Sequence, residues 1–291
     1  MVRILLTGGA GFIGSSLCDQ LIKKNYFVYV LDNLSTGKII NIPKHKNVKF
    51  INVDVNNKNK LINKTKNLKI DYIFHFGEYS RVEQSLDEPY LALSNIYKSF
   101  APLLEFWSSS GAKLIYSGSS TKFASYQDDE KPSPYAWIKE KNTEHLINYS
   151  SWFGLEYGIV YFYNVYGGNE VDEGQFATVI GKFKKLILDG AVSLPVVEPG
   201  DQLRNFTHYS DIVSGLVTVA LKGFGDGYGI GADRSVSMKD IVNFLGSTPH
   251  YIPPRRGNRV NADLVTSATR KLGWTPKVDI KEHLKDFIDG M

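Results

Sequence analysis

Tyr135 and Lys139 stand four residues apart in Tyr135 to Phe153, a stretch whose pattern predicts a helix beginning after Pro132-Ser133-Pro134. That spacing puts both side chains on one face, side by side. A free phenol ionises at about pH 10 and is a poor base at neutral pH. A neighbouring ammonium favours the phenolate, which can then exchange a proton with a substrate hydroxyl. The pair alone is weak, because Tyr and Lys often fall at this spacing by chance. Upstream, the apolar strand predicted over Lys113 to Ser117 runs into Gly118-Ser119-Ser120-Thr121. Small hydroxyl residues at a strand's carboxyl end can hydrogen-bond a substrate oxygen; the plain alternative is a capped turn.

A second constellation gives the pair something to act with. Val2 to Leu6 reads as a strand buried on both faces, and Thr7 to Gly11 breaks it. From Phe12 the apolar residues (Phe12, Ile13, Leu17, Leu21) fall at helical spacing. Glycine therefore sits where a strand hands over to a helix. Gly8 permits the tight turn, Gly11 lets backbone approach a pyrophosphate, and Gly14 lets the helix pack on the strand. The helix N-terminus offers free N–H groups and a positive dipole end to phosphate. A second apolar strand, Tyr26 to Leu31, ends in Asp32. It lies about 20 residues past the glycines, where a carboxylate takes the ribose hydroxyls of NAD and repels the extra phosphate of NADP. Asp54, after a third strand over Val48 to Val53, is placed to hydrogen-bond the adenine amino group.

The elements that must position these groups alternate. Further strands are predicted at Ile70 to Phe76 and Leu155 to Tyr161, with helices including Tyr90 to Ser109 between them. Such alternation implies an α/β fold, a Rossmann-type doubly wound parallel sheet with right-handed crossovers. After Gly167-Gly168 the pattern changes: a helix over Gln175 to Asp189, a strand over Val192 to Val197, helices over Asp211 to Lys222 and Met238 to Leu245, and an amphipathic helix over Lys281 to Ile288. We expect a dinucleotide-binding domain over 1–166 and a smaller α/β substrate-binding domain over 167–291, with the chain free to cross back between them. The second would lie over the sheet's carboxyl edge, where ligands of open α/β sheets bind.

Composition narrows the classes. The 291 residues suit one or two domains with a substantial core. The net charge of +4 comes largely from lysines interleaved with Asn between Lys38 and Lys69, without aromatic or Arg clustering, so a solvated face explains it better than nucleic acid does. The one cysteine, Cys18, allows no internal disulfide and no Cys-based metal site, which fits a reduced, cytoplasmic setting. No apolar run approaches the ~18–20 residues of a membrane span, and the first strand leaves no room for a signal peptide.

Taken in order, these residues resemble the extended short-chain dehydrogenase/reductases, in the branch of nucleotide-sugar epimerases and dehydratases, and within it most closely the UDP-glucose 4-epimerases. The likeness runs nearly end to end. It rests on Thr7 to Gly14, Asp32 to Gly37, Asp54-Val55, His75-Phe76, Asn95, Ser119, Tyr135-Ala-Trp-Ile-Lys139, Tyr163 to Gly167, Arg204-Asn-Phe-Thr-His208 with Asp211, Arg255-Arg-Gly-Asn258, and Ala262-Asp263 with Leu272 to Pro276. The resemblance implies that Tyr135 is the acid/base, that Lys139 lowers its pKa and holds the nicotinamide ribose, and that Ser119 shares the substrate proton. It implies an NAD site made of Gly8, Gly11, Phe12, Ile13, Gly14, Asp32, Asn33, Ser35, Thr36, Gly37, Asp54, Val55, Phe76, Gly77 and Asn95 with Tyr135 and Lys139. It implies a nucleotide-diphosphate sugar held by Ser80, Val82, Ser119, Ser120, Thr121, Tyr135, Asn164 and Gln175. Arg204 and Arg255 would grip the diphosphate, whose geometry a guanidinium fork matches. It also implies a homodimer through a four-helix bundle. The predicted helices at Asn95 to Trp107 and Tyr135 to Trp152 carry Tyr97, Phe100, Trp107, Ile138, Leu146, Tyr149 and Trp152, more large apolar surface than one sheet face needs.

Sugar 4,6-dehydratases of this branch carry an Asp-Glu pair directly after the catalytic Ser or Thr. Here those positions are Ser120 and Thr121, which lack the carboxylates that dehydration needs. The expected reaction is 4-epimerisation of a UDP-hexose by transient oxidation at C4. The alternatives are an NAD(P)H-dependent 4-keto-6-deoxy nucleotide-sugar reductase, which Asp32 disfavours, and a non-catalytic NAD-binding regulator. In the epimerases this chain resembles, a residue between the Arg-x-Gly-x motif and the following Ala-Asp walls the pocket near the sugar's C2. The resemblance implies that the wall here falls on Val260 or Asn261, neither aromatic, and leaves room for an acetamido group. Several positions depart from the family pattern. Glu78 stands where small residues are usual beside the cofactor and could face a substrate hydroxyl. Asn205 and Asn258 stand in place of acids, and Arg256 in place of Pro.

Overall fold

The computed structural model describes residues 1–125, 132–253 and 261–291. In chain order its elements are β1 (Arg3–Thr7), α1 (Phe12–Lys23), β2 (Phe27–Asp32), β3 (Val48–Asn52), α2 (Lys58–Thr65), β4 (Tyr72–His75), the short α3 (Gln84–Asp87), α4 (Pro89–Ser110), β5 (Lys113–Ser117), β6 (Ala124–Ser125), α5 (Pro134–Phe153), β7 (Tyr157–Phe162), β8 (Val165–Tyr166), α6 (Val179–Leu188), β9 (Ser193–Val197), β10 (Arg204–Asn205), β11 (Thr207–His208), α7 (Tyr209–Lys222) and β12 (Gly225–Ile230). They are followed by β13 (Ser235–Val236), α8 (Met238–Phe244), β14 (Thr248–Ile252), β15 (Asn261–Ala262), α9 (Ser267–Lys271) and α10 (Ile280–Asp289).

Seven strands form one parallel sheet in the order β12-β7-β5-β4-β1-β2-β3. Side chains alternate along each strand, and both faces are apolar. Ile4, Leu6, Val28 and Val30 meet Leu17 and Leu21 of α1 and Leu216 and Val219 of α7. Leu5, Leu31, Ile73 and Leu114 meet Phe100, Leu103 and Trp107 of α4 and Leu146 of α5. The doubly wound α/β fold expected from the alternation is present. β12 was not expected: the chain returns from its second half and pairs β12 in parallel with β7. The helix expected from Gln175 begins only at Val179, where the Thr178 hydroxyl caps it by accepting from Gly181 N–H at 3.0 Å.

A third cluster (Phe183, Leu194, Val196, Phe206, Ile241, Leu284) builds the core of the smaller layer around β9 and β14. On its margin Tyr166 packs against His208 and His283, and Lys184 bridges His283 Nε2 (2.9 Å) and Glu170 (3.3 Å). Burial first, then nearby positive charge, pulls both imidazoles down to about 4. An unfolded histidine titrates at about 6.5, so between those values the unfolded chain binds more protons. Stability present above about pH 6.5 is then lost as pH falls toward 4. The thermal midpoint should drop across this window, with a shallower slope in His283→Gln. Equal slopes for the two proteins would contradict the assignment.

Of the seven apolar residues expected to be in excess on α4 and α5, Phe100, Trp107, Ile138 and Leu146 are buried within the monomer. Tyr97 and Trp152 are exposed at 63% and 67%, together with Tyr90, Leu91, Trp137 and Phe153 on the same helices. No helix among the described residues is long and apolar enough to cross a membrane.

Candidate active site

The glycine turn is built as the residue types require. Gly8 has φ +67°, a conformation L side chains rarely adopt, and a Cβ there would stand 2.7 Å from the Phe76 carbonyl carbon. A Cβ on Gly14 would come within 2.3 Å of Gly8 O, so the first turn of α1 can close on the loop only with glycine. Gly11 caps α1 with no side-chain hydrogen bond, and Phe12 and Ile13 open the helix. Their N–H groups are those a helix leaves for an anion. Asp32, at the end of β2, accepts from Ala10 N–H at 2.9 Å and from Leu34 N–H at 2.8 Å. One carboxylate thus ties the glycine turn to the loop holding Asn33, Ser35, Thr36 and Gly37. Beyond it a polar cavity of about 620 Å³ is lined by Asn33, Val53, Asp54 and Asn56, among others. Asp54 accepts from Asn56 N–H at 2.8 Å, Asn56 Nδ2 reaches Asn95 at 3.5 Å, and Val55 is buried. Phe76 and Gly77 N–H both donate to the Thr7 hydroxyl at 3.1 Å, which pins the loop after β4 to the glycine turn.

At the other end of the cleft, Ser119 Oγ lies 2.7 Å from Thr121 Oγ1, and Ser120 and Thr121 are both buried. Ser133 caps α5 and Pro134 opens it, which presents Tyr135 in the first turn. Tyr135 donates its N–H to Ser85 Oγ at 3.3 Å and is half-buried. Lys139, one turn on, does not point into open space. Its Nζ lies 2.5 Å from Glu78 Oε2 and 2.9 Å from Tyr116 Oη, and the Glu78 and Lys139 side chains are each 3% exposed. Tyr116 in turn donates to Glu78 Oε2 at 3.1 Å, and His75 Nε2 lies 3.2 Å from Glu78 Oε1. Thr7 Oγ1, already accepting two N–H groups, has its own hydrogen for His75 Nδ1, 2.8 Å away. Burial alone would raise the Glu78 carboxyl, but the Lys139 ammonium and His75 beside it hold it down at about 2. Burial likewise opposes the Lys139 charge, and Glu78 more than restores it, so Lys139 stays protonated. Glu78, which by sequence could face a substrate hydroxyl, is the counter-ion of Lys139.

The remaining expected substrate residues fall on several elements. Ser80 is exposed and Val82 half-buried on the loop after β4. Arg81, not singled out from the sequence, crosses from that loop and donates to the carbonyl of Phe176, with its guanidinium 5.6 Å from the Phe176 ring centroid. Gln84 donates to the Gln175 carbonyl at 3.0 Å, so two bridges join the loop after β4 to the segment before α6. Asn164, at φ +31°, donates to Asn205 O at 3.3 Å, and Arg204 is half-buried on β10. Asn205 holds the fold together, since its amide donates to Ala232 O at 2.9 Å and Ser235 Oγ at 3.2 Å. Asp211 and Trp274 also serve the fold. The carboxylate accepts from Lys277 and Val278 N–H at 3.0 Å, and the indole donates to Asp211 O at 3.0 Å. Arg255, Arg256, Asn258 and Val260 lie outside the described residues, as does the Asn261 side chain.

The profile of the NAD dependent epimerase/dehydratase family matches residues 4–231. The chain belongs to this family. A putative UDP-glucose 4-epimerase of Methanocaldococcus jannaschii is 31% identical, over 99% of this chain and 98% of that one. Among solved structures, the UDP-glucose 4-epimerase of Thermotoga maritima with UDP-glucose superposes with a TM-score of 0.89 at 29% identity, covering 99% of this chain and 98% of the other. The Thermus thermophilus UDP-glucose 4-epimerase in complex with NAD gives 0.87 at 28% identity, covering 99% and 98%. Human dTDP-D-glucose 4,6-dehydratase also matches, at 26% identity. The family is NAD dependent, and the turn fits that cofactor: Gly8 and Gly14 admit no side chain, and the α1 N-terminus is uncapped. Glu78 and Arg81 escaped the sequence reading as partners because both act across the fold. The visible signal was a carboxylate three residues after His75, the buried end of β4, where an ion needs a counter-ion.

Proposed function

We propose that this member of the family is a nucleotide-sugar 4-epimerase acting on UDP-hexoses. The observation that carries the reading is the pair Ser120 and Thr121. Both are buried hydroxyl residues at the end of β5, where dehydration would call for an acid and a base. Glu78, a buried carboxylate on the loop after β4, is bound to Lys139 and Tyr116. What remains is suited to moving one proton. Ser119, oriented by Thr121, hydrogen-bonds the 4-oxygen, and Tyr135 takes the hydroxyl proton and later returns it. NAD, when bound, supplies the hydride acceptor and donor at C4. Gly8 to Gly14, Asp32 to Gly37, Asp54, Val55, Phe76, Gly77 and Asn95 would hold it. Asn164, Gln175, Arg204 and Arg255 would hold the nucleotide diphosphate while the sugar turns and presents its other face. UDP-glucose and NAD in the solved relatives support this reading.

The test is to denature the purified protein, identify the released nucleotide, and follow UDP-glucose and UDP-N-acetylglucosamine by NMR. Retained NAD with inversion at C4 is expected, with both sugars accepted. Pocket size discriminates by only about 1–3 kcal/mol, so tolerance fits better than strict preference. Loss of the 6-hydroxyl would identify a dehydratase, and an empty site that takes up NADPH would identify a reductase.

Asp32→Ala should weaken NAD binding and relax discrimination against NADP, measured by calorimetric titration with each cofactor. The carboxylate would take the ribose hydroxyls, and it ties down Ala10 and Leu34. A wild type that already prefers NADP would overturn the cofactor assignment. We also propose a homodimer through α4 and α5, whose Tyr90, Tyr97, Trp137 and Trp152 are exposed. A monomer by light scattering would contradict it.

A further inference from the structure

We propose that Asp226 is a positioning residue for Ser119: from β12 it anchors, through Tyr161 and Lys122, the turn that carries the serine. The inference rests on the reading of Ser119 as the group that hydrogen-bonds the 4-oxygen. Ser119 leaves the end of β5 and enters the 3₁₀ turn Ser120–Phe123. That turn is closed on the serine itself. Lys122 N–H donates to Ser119 O at 3.0 Å, and Thr121 N–H donates to Ser119 Oγ at 3.3 Å. Fixing Lys122 therefore fixes the start of the turn, where Ser119 stands.

Both ends of this stretch rest on one ring. Tyr161 of β7 is fully buried. A Cβ on Gly118 would stand 2.5 Å from its Cε1, so the chain leaving β5 lies directly on the ring. Phe123 meets the same ring edge-on, with centroids 4.8 Å apart. A buried hydroxyl needs a partner, and Asp226 supplies it: Tyr161 Oη donates to Oδ1 at 2.6 Å. The other carboxylate oxygen accepts from Lys122 Nζ at 2.8 Å, and Lys122 Nζ also donates to Tyr161 Oη at 3.3 Å. Gly227 N–H donates to Oδ1 at 2.6 Å, which holds the carboxylate against its own strand. The Lys122 and Asp226 side chains are 30% and 25% exposed, so the ion pair alone would hold little. The buried phenol is what gives the carboxylate a fixed place. Neither β5 nor the turn contains an acid that could do the same.

The experiment is a double-mutant cycle with a hydrogen-exchange control. Asp226→Ala should lower kcat by up to about 100-fold, what a misplacement of about 1 Å can cost, with KM near wild type and NAD retained. Asp226→Asn should lose less, because its amide oxygen can still accept from Tyr161. If Asp226 acts through Ser119, Ser119→Ala/Asp226→Ala turns over no more slowly than Ser119→Ala alone, since residues that act as a unit are not additive. Additive losses, or a wild-type kcat in Asp226→Ala, would overturn the proposal. Hydrogen exchange at the Thr121 and Lys122 amides needs no turnover. It should quicken in Asp226→Ala, and an unchanged rate would also overturn the proposal. If Asp226→Ala does not fold, Lys122→Met, at a partly exposed position, takes its place in both measurements and the same outcomes decide. A protein that epimerises no UDP-hexose but shows the faster exchange loses the proposed reaction and keeps the anchoring by Asp226. Epimerisation with additive losses does the reverse.

Discussion

Tyr135→Phe should fold like the wild type, retain NAD, and lose about 10²–10⁴-fold in turnover, the usual contribution of a positioned general acid or base. The substitution removes one hydroxyl. The half-buried ring keeps its place, because the backbone bond from Tyr135 N–H to Ser85 Oγ and the Ser133 cap of α5 do not depend on that hydroxyl. The loss should fall on kcat as well as kcat/KM, since the proton moves only on the way to the transition state. Measuring both constants, with the NAD content and the thermal midpoint as controls, checks the prediction. A Tyr135→Phe protein with wild-type turnover would sink the mechanism outright and transfer proton exchange to Ser119 or to water.

The second large effect is on stability. Glu78→Ala should destabilise the protein by about 3–5 kcal/mol, the range for breaking a buried ion pair by removing one partner. The cause is less the lost attraction than the ammonium left behind: Lys139 would remain in the interior with Tyr116 and no counter-ion. Replacing both partners by apolar groups of similar volume is far milder, so Glu78→Ala/Lys139→Met should recover much of the loss. Denaturant midpoints for the two single variants and the double variant test this. A Glu78→Ala protein within about 1 kcal/mol of wild type would mean that water reaches Lys139. The same pair contributes to acid unfolding. With its folded pKa lowered to about 2 against about 4.3 in an unfolded chain, Glu78 stabilises fully above that unfolded value. The contribution disappears as pH falls toward 2.

Residues close in sequence determined a good part of this protein. Gly8, Gly11 and Gly14 specify a turn through backbone sterics over seven residues, and the structure closes it with Gly8 at φ +67°. Lys113–Ser117 is a strand over the residues expected, and α5 extends only one residue earlier than expected, at Pro134. Alternation along β1 already separated Ile4 and Leu6 from Leu5, and with them the two faces of the sheet. Order and spacing of motifs were enough for the family.

Other features required the packed chain. β12, Gly-Asp-Gly-Tyr-Gly-Ile, has too much glycine to read as a strand; it is one because β7 offers an edge on which it pairs in parallel, with a register shift between Gly225 and Tyr228. Phe100 and Trp107 are buried while Tyr97 and Trp152 are exposed. Composition and helical period supply an apolar surplus, and only the angle at which α4 meets the sheet chooses which residues it covers. Glu78 and Lys139 are 61 residues apart. Nothing local relates them, since β4, β5 and α5 must first be assembled to bring the loop after β4 against the second turn of α5. An ion pair is set by where two backbones pass. The sequence therefore named Lys139 as the partner of Tyr135 and Glu78 as an unusual neighbour of the cofactor, and the tertiary structure decided that the two pair with each other.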